Sequence, residues 1–429
     1  MYLAILGYIT LVVFVILLFR EKSTPAIVLA ALPVVTALVA GYDIWTIEEY
    51  VSEGMQSVTG NAVLFCFAIL FFTIESDAGL FKPIIRALMR VMGKSLSGIC
   101  VAVVLIALVG HLDGSATTTI LITLPFFAPV FKRLNLDPRA LVFLIGTTMG
   151  VMNLTPWAGT LLRVSVATGL DINYLWQQIL PMQLTALVLV IVFAVLYSIR
   201  VRKQCRMELS AVMWQDEEGQ EPVTWRFWAN LVLTVAAIAV LAVSGYTSYM
   251  VFMAAAIIAL IINYGDNKSQ AEVIRKGAPS AFFIIITILA SGVFIGIMGG
   301  GEQSILSSMS EALLGLVPGS LLKHLPLILG ILGVPLGLLF SGDALMYGVL
   351  PLCAQMGAAV GVAAEDIGLV MAVGDSLSII GSPVYPATYL ILGLAGVELR
   401  DYLKYAIIPM WLISILMILS GAVSGVITL

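Results

Sequence analysis

Four charged residues interrupt long apolar runs: Asp113, Asp343, Asp375 and Arg163. A carboxylate can hold a cation or carry a proton, and a guanidinium grips a carboxylate through two parallel hydrogen bonds. At membrane depth a charge costs about 2.5–3.5 kcal/mol or more, so such residues mark ion or proton paths. The aspartates also have a plainer use. Asp113 and Asp343 each precede an apolar arm and suit helix N-caps, a role compatible with ligation because a helix N-terminus also attracts anions. Hydroxyls gather at the same places: Ser115, Thr117, Ser341, Ser376, Ser382 and Thr388. Any one of them could bond a carbonyl one turn back; the clustering is the signal. Arg163 reads as a ligand for a substrate carboxylate, or as a side chain reaching for the outer headgroups. His111 could share a proton with Asp113 or simply end a helix. Asn153 suits a cation, a carboxylate or an inter-helix hydrogen bond. Trp157 reads as packing, and Glu75 and Asp77, closing an apolar run, read as solvated.

The chain around these residues is 61% hydrophobic and 11% charged over 429 residues, with a mean hydropathy of +1.08. Soluble domains carry about 25% charged residues, so this composition describes an integral membrane protein. Apolar runs of about 16–20 residues suit helices rather than barrel strands, and lipid offers nothing to an unpaired backbone. The four cysteines, Cys66, Cys100, Cys205 and Cys353, lie far apart without a C-x-x-C, so neither a disulfide framework nor a zinc site is suggested and they read as small apolar residues. H-E-x-x-H, G-x-G-D and G-x-S-G are absent and the chain has two histidines, so an intramembrane enzyme is not expected. The opening "MYLAILGYITLVVFVILLFREK" lacks a basic leader and an A-x-A site and reads as a first span, not a cleaved signal.

Apolar runs and breakers place spans at 2–19, 25–41 and 58–78. Two shorter arms, 95–110 and 117–131, follow, joined by "GHLDGSATTT". A run at 139–170 is broken by "NLTPWAG", and a span at 178–199 closes the half. After a polar stretch the same order returns: spans at 226–244, 247–264 and 281–298, arms at 325–340 and 344–360 joined by "FSGDAL", a run at 366–396 broken by "GDSLSIIGSPVYPAT", and a span at 405–427. "GLDINYLWQQILPM" matches "GVELRDYLKYAIIPM" at equivalent places, and "NLTPWAGT" matches "IIGSPVYPAT".

If the short arms turn back instead of crossing, each half crosses five times and the second half is inverted. Every lysine and arginine except Arg163 and Lys323 then falls on one face, while Asp43, Glu48, Glu49, Glu53, Glu302, Glu311, Glu365 and Asp366 fall on the other. That bias makes the basic face cytoplasmic. The expectation is an all-α polytopic membrane protein with about ten transmembrane helices and two re-entrant hairpins in two inverted-topology repeats. Residues 1–199 form the first repeat (hairpin 95–131, broken helix 139–170), 200–225 a cytoplasmic linker, and 226–429 the second repeat (hairpin 321–360, broken helix 366–396). The chain would lie in the cell's inner (plasma) membrane with both ends outside. The basic residues line the membrane face, so no nucleic-acid partner is expected.

Inverted repeats with broken helices are the plan of secondary transporters, which bind substrate and coupling ions at midplane breaks. At these breaks "LDGSATT", "GVMNLTPWAG", "SGDALMYGVLP" and "SPVYPATYLILGLAGVEL" resemble the citrate–divalent metal:proton symporters, the CitMHS family of the ion transporter superfamily, over nearly the whole chain outside the linker. The resemblance implies symport of citrate with Mg2+ or Ca2+, coupled to protons, in a homodimer whose transport domains move like elevators. It carries onto Asp113, Thr117, Asn153, Pro156, Arg163, Ser341, Asp343, Ser382, Pro383 and Thr388. Taken with the residue reading, the candidate substrate ligands are Ser115, Thr117, Asn153, Thr155, Gly159, Arg163, Ser341, Ser382, Pro383 and Thr388. The candidate coupling groups are Asp113, Asp343, Asp375 and His111. Asp113 and Asp343 are the candidates for a metal arriving with the substrate, and no permanently bound cofactor is expected. Two tips depart from the family pattern: His111 stands where the family tends to have serine, and Gly342 where it tends to have asparagine. A sodium-coupled dicarboxylate carrier and an organic-anion antiporter fit the same scaffold, and a channel is a further class.

Overall fold

The computed structural model describes residues 1–20, 22–202, 223–301 and 303–428. Among these residues the chain forms nineteen α-helices and one π-helical turn. The first half runs α1 (Tyr2–Phe19), α2 (Pro25–Ala40), α3 (Ile44–Asp77), α4 (Phe81–Met92), α5 (Leu96–Gly110), α6 (Ala116–Arg133), α7 (Pro138–Met152), α8 (Gly159–Thr168) and α9 (Ile172–Val201). The second runs α10 (Trp225–Val243), α11 (Ser248–Asn263), α12 (Asn267–Gly299), α13 (Ile305–Leu314), α14 (Gly319–Lys323), α15 (Leu325–Leu339), the π-helical turn (Ala344–Val349), α16 (Leu350–Ala358), α17 (Ala364–Ser378), α18 (Pro386–Ala395) and α19 (Leu399–Val423). Helices α3, α9, α10, α12 and α19 are each long and apolar enough to cross a bilayer alone. Most of the expected linker, 203–222, lies outside the described residues.

Two helices begin well ahead of their apolar runs, α3 at Ile44 instead of 58 and α12 at Asn267 instead of 281. Hydropathy marks where lipid begins, whereas a cap marks where a helix begins. Asp43 accepts hydrogen bonds from the amides of Trp45 and Thr46 at 2.9 and 3.0 Å, and Asp266 accepts from the amide of Ser269 at 3.0 Å. These bonds hold the Asp43 carboxyl, through Thr46 above all, and the Asp266 carboxyl, through Ser269, below the usual carboxylate range. Helix α4 was not expected at all, being too short and basic for a span. It sets Lys82, Arg86 and Arg90 at i, i+4 spacing and buries Phe81 and Met89, the pattern of a helix lying at a membrane surface.

Glycines set the closest crossings. A Cβ on Gly54 of α3 would stand 2.8 Å from the Cα of Gly296 on α12, and one on Gly292 would stand 2.6 Å from the Gly54 carbonyl. Helices α15 and α17 meet the same way, a Cβ on Gly333 reaching within 2.9 Å of the Gly374 Cα. Small residues allow such backbone contact where lipid supplies no hydrophobic drive between helices.

The helix pairs recur with the halves exchanged. Helix α2 packs on α12 as α11 does on α3, α5 on α7 as α15 on α17, and α6 on α18 as α16 on α8. The pairs α3–α12, α7–α17 and α9–α19 join helices that hold the same place in each half. Helices α7 and α17 therefore meet at the centre, where Gly146 faces Ile380 and Gly150 faces Ser376, and both stop there.

Candidate functional site

The first tip, between α5 and α6, is a nest of local bonds. Gly114 takes φ +70°, which only glycine adopts freely. The amide of Ser115 donates to Asp113 Oδ1 at 2.8 Å, and the amide of Thr118 donates to Ser115 Oγ at 3.2 Å. At the second tip the amide of Ala344 donates to Ser341 Oγ at 3.2 Å. The helix then widens to a π turn over Ala344–Val349. Pro351 has no N–H to offer the carbonyl one turn back, which favours that widening.

Each tip is stapled to the helix break of its own half. Trp157 Nε1 donates to the Leu112 carbonyl at 2.9 Å, and the Gly342 amide donates to the Tyr385 hydroxyl at 2.8 Å. When the breaks are aligned on Thr160 and Thr388, Trp157 and Tyr385 hold the same place. The indole only donates, but the phenol also gives its own hydrogen, to Asp375 Oδ1 at 3.3 Å. The other carboxylate oxygen accepts from Thr160 Oγ1 at 3.2 Å. Tyr385 thus links the second tip to α17, and Asp375 links α17 to α8. Tyr385→Phe keeps the ring and removes both bonds. It is expected to raise the reaction rate of a cysteine placed at Ser341 with a thiol reagent about thirtyfold, on a net worth of about 1 kcal/mol for each of the two bonds; an unchanged rate would mean the staple does not hold the tip.

One ion pair joins the two halves at this site. Arg163 Nε on α8 donates to Asp343 Oδ1 at the second tip, 2.6 Å away, with side chains 21% and 14% exposed. Both face a cavity of about 300 Å3 that Asp113, Asn153, Tyr347 and Tyr385 also line. Its size suits a small ligand. Among the lining residues Arg163 is the one cation and Asp113 and Asp343 are the acids.

The structure separates the remaining candidates. Asp375 was expected within the break, but α17 continues to Ser378, so Asp375 is fully buried behind Tyr385 and Thr160. His111 makes its hydrogen bonds to Thr119 Oγ1 at 2.7 Å and Asn153 Oδ1 at 3.5 Å, and none to Asp113. Gly159 borders the cavity, and a Cβ there would come 3.2 Å from Arg163 Nη1. Three hydroxyls serve carbonyls at the breaks and arms: Thr155 donates to Met152, Ser382 to Leu338, and Thr388 to Ile379 and Ser382. Ser376 Oγ is buried without a hydrogen-bond partner among the described residues. Thr117 and Pro383 are exposed. Sequence reasoning missed Thr119, Thr160, Tyr347 and Tyr385. For Tyr385 the available signal was its alignment with Trp157.

Of Glu75 and Asp77, both expected to be solvated, only Asp77 is exposed. Asp77 is bonded to Lys276 and to the Tyr264 hydroxyl, tying together the ends of α3, α11 and α12. Glu75 is fully buried, and neither carboxylate oxygen has a hydrogen-bond partner among the described residues.

Among the described residues no group of three or more His, Cys, Asp or Glu side chains converges as a cation site. Two carboxylates are the most the cavity wall itself offers a metal.

The citrate transporter family model matches residues 8–374. A citrate transporter of Bacillus subtilis (strain 168) is 31% identical, covering 99% of this chain and 100% of that protein. A Mg(2+)/citrate complex secondary transporter of the same organism is 32% identical, covering 98% and 99%. Among solved structures, the Alcanivorax borkumensis YdaH transporter aligns with a TM-score of 0.55 at 15% identity over 86% of each chain, a likeness of fold.

Proposed function

This chain belongs to the citrate transporter family, and from that premise we propose that it carries citrate, or a related di- or tricarboxylate, across the membrane as a complex with a divalent cation in symport with protons. The chain is a multi-pass membrane transporter and not an enzyme. The observation that carries the reading is the cavity where one arginine and two aspartates meet beside both helix breaks. Arg163 serves a citrate carboxylate through its fork of donors. Asp343 and Asp113 serve the cation, which keeps citrate oxygens and water as its other ligands. Mg2+ is commonly held this way, by one or two protein carboxylates plus the substrate. Asp375, held by Thr160 and Tyr385 at the junction of the halves, is the coupling group.

The same reading makes α5–α6 and α15–α16 re-entrant hairpins in two inverted repeats. The exchanged helix pairs support it, as does the charge bias that puts the ends of α3 and α11 and the start of α12 in the cytoplasm. Helices α2, α3, α11 and α12 would be the fixed frame of a homodimer in the inner membrane, against which the hairpins and broken helices move as an elevator.

Purified protein in liposomes is expected to accumulate labelled citrate with Mg2+ when the outside is made acidic, and to stop when the gradient is collapsed. No uptake of any di- or tricarboxylate, with or without Mg2+ or Ca2+, overturns the reading. Uptake that follows a sodium gradient and ignores pH moves it to sodium coupling.

A further inference from the structure

We propose that the Arg163–Asp343 ion pair is the selectivity device of the cavity: an internal stand-in for the metal–carboxylate complex, which the complex can replace and neither component can replace alone. The inference rests on the function proposed above and concerns why that substrate would travel as a complex.

The pair is built to open. One hydrogen bond, from Nε to Oδ1, is all that either side chain makes among the described residues. The two η nitrogens lie beside Gly159 at the cavity edge, free to take a carboxylate with two prongs. The second oxygen of Asp343 is free for a cation. The partners come from opposite halves, Arg163 from α8 and Asp343 from the second tip, so opening the pair also releases a bond across the halves.

Charge then decides what can open it. A partly buried charge that loses its partner is strongly penalised. Free citrate can take Arg163, but it strands Asp343 and adds negative charge beside Asp113. A free divalent cation can take Asp343, but it strands Arg163 beside a second positive charge. The complex exchanges both partners at once, its carboxylate going to Arg163 and its metal to Asp343. Selection here lies in penalising the wrong ligand as much as in contacts to the right one.

The experiment compares the full-length wild type with Asp343→Asn, purified in detergent, by titration calorimetry and thermal shift. The ligands are citrate with Mg2+, citrate with EDTA, and Mg2+ alone. The wild type is expected to respond to citrate with Mg2+ and to bind citrate in EDTA about tenfold or more weakly. Asp343→Asn keeps the shape and removes the charge, so it is expected to bind citrate in EDTA about tenfold more tightly than the wild type does, and to lose most of the gain from Mg2+. A variant that keeps the full Mg2+ enhancement overturns the proposal. Should the variant not fold, the wild type decides alone: equal binding of citrate with Mg2+ and with EDTA overturns the proposal, as does stabilisation by Mg2+ alone equal to that by the complex. If the wild type responds to no di- or tricarboxylate under any condition, the functional reading itself fails, a result distinct from those.

Discussion

Arg163→Gln is expected to lower metal–citrate uptake about a hundredfold or more. Removing one partner of a buried ion pair costs about 3–5 kcal/mol; for this partly buried pair the lower end, about 3 kcal/mol, applies, and each 1.4 kcal/mol is a factor of ten. Here the loss counts twice, since Arg163 is also the one cation among the residues lining the cavity. The empty site would hold Asp343 and Asp113 without a counter-charge, and an incoming carboxylate would meet only like charge. Initial uptake rates in proteoliposomes, at matched amounts of folded protein, give the measure. Arg163→Lys keeps the charge but loses the planar fork, so its rate should fall between the other two. Uptake by Arg163→Gln within a few-fold of the wild type would remove Arg163 from the site.

The second large effect is structural. Gly374→Val is expected to cost more than about 3 kcal/mol, beyond the usual 1–3 kcal/mol for overpacking a core. Its Cβ would run into the backbone of Gly333, with the Gly333 carbonyl oxygen 2.8 Å away, and backbone cannot swing aside as a flexible side chain can. The clash sits one residue before Asp375 and at the crossing of α15 with α17, so the second tip would lose its seat as well. The yield of monodisperse protein and the midpoint of thermal unfolding in detergent should both fall. Gly393→Ala on α18 is the control. No atom beyond its own stretch of helix lies within 4 Å of a Cβ placed there, and a helical glycine replaced without strain gains about 0.4–1 kcal/mol. Equal behaviour of the two variants would mean that the α15–α17 crossing is not the close contact described.

Much of the local architecture was legible in the chain. The apolar runs at 2–19, 25–41, 226–244 and 247–264 match α1, α2, α10 and α11 within about two residues, the usual boundary tolerance, because an uninterrupted apolar stretch leaves the backbone few alternatives to a helix. The first tip and the first break were readable from Gly114, Pro156 and Gly159. The starts of α3 and α12 were not, because Asp43 and Asp266 extend the helices through polar turns that a hydropathy scan excludes. Asp375 read as part of a break because glycine and serine surround it, yet the packing of α17 against α7 and α15 carries the helix past it.

The sequence by itself determined the solvent, the order of the apolar helices and the charges at the tips and breaks, since these follow from composition and from neighbours along the chain. Only the tertiary structure decided who meets whom. Arg163 and Asp343 are 180 residues apart, and Thr160 and Asp375 are 215 apart. No local pattern records those pairings; they exist because α7 and α17 cross at backbone distance and bring the break of one half against the tip of the other. At the second break Ser382 and Thr388 give their hydroxyls to the carbonyls of Leu338 and Ile379, because in an apolar medium a free backbone carbonyl must be satisfied before a side chain is left for a ligand.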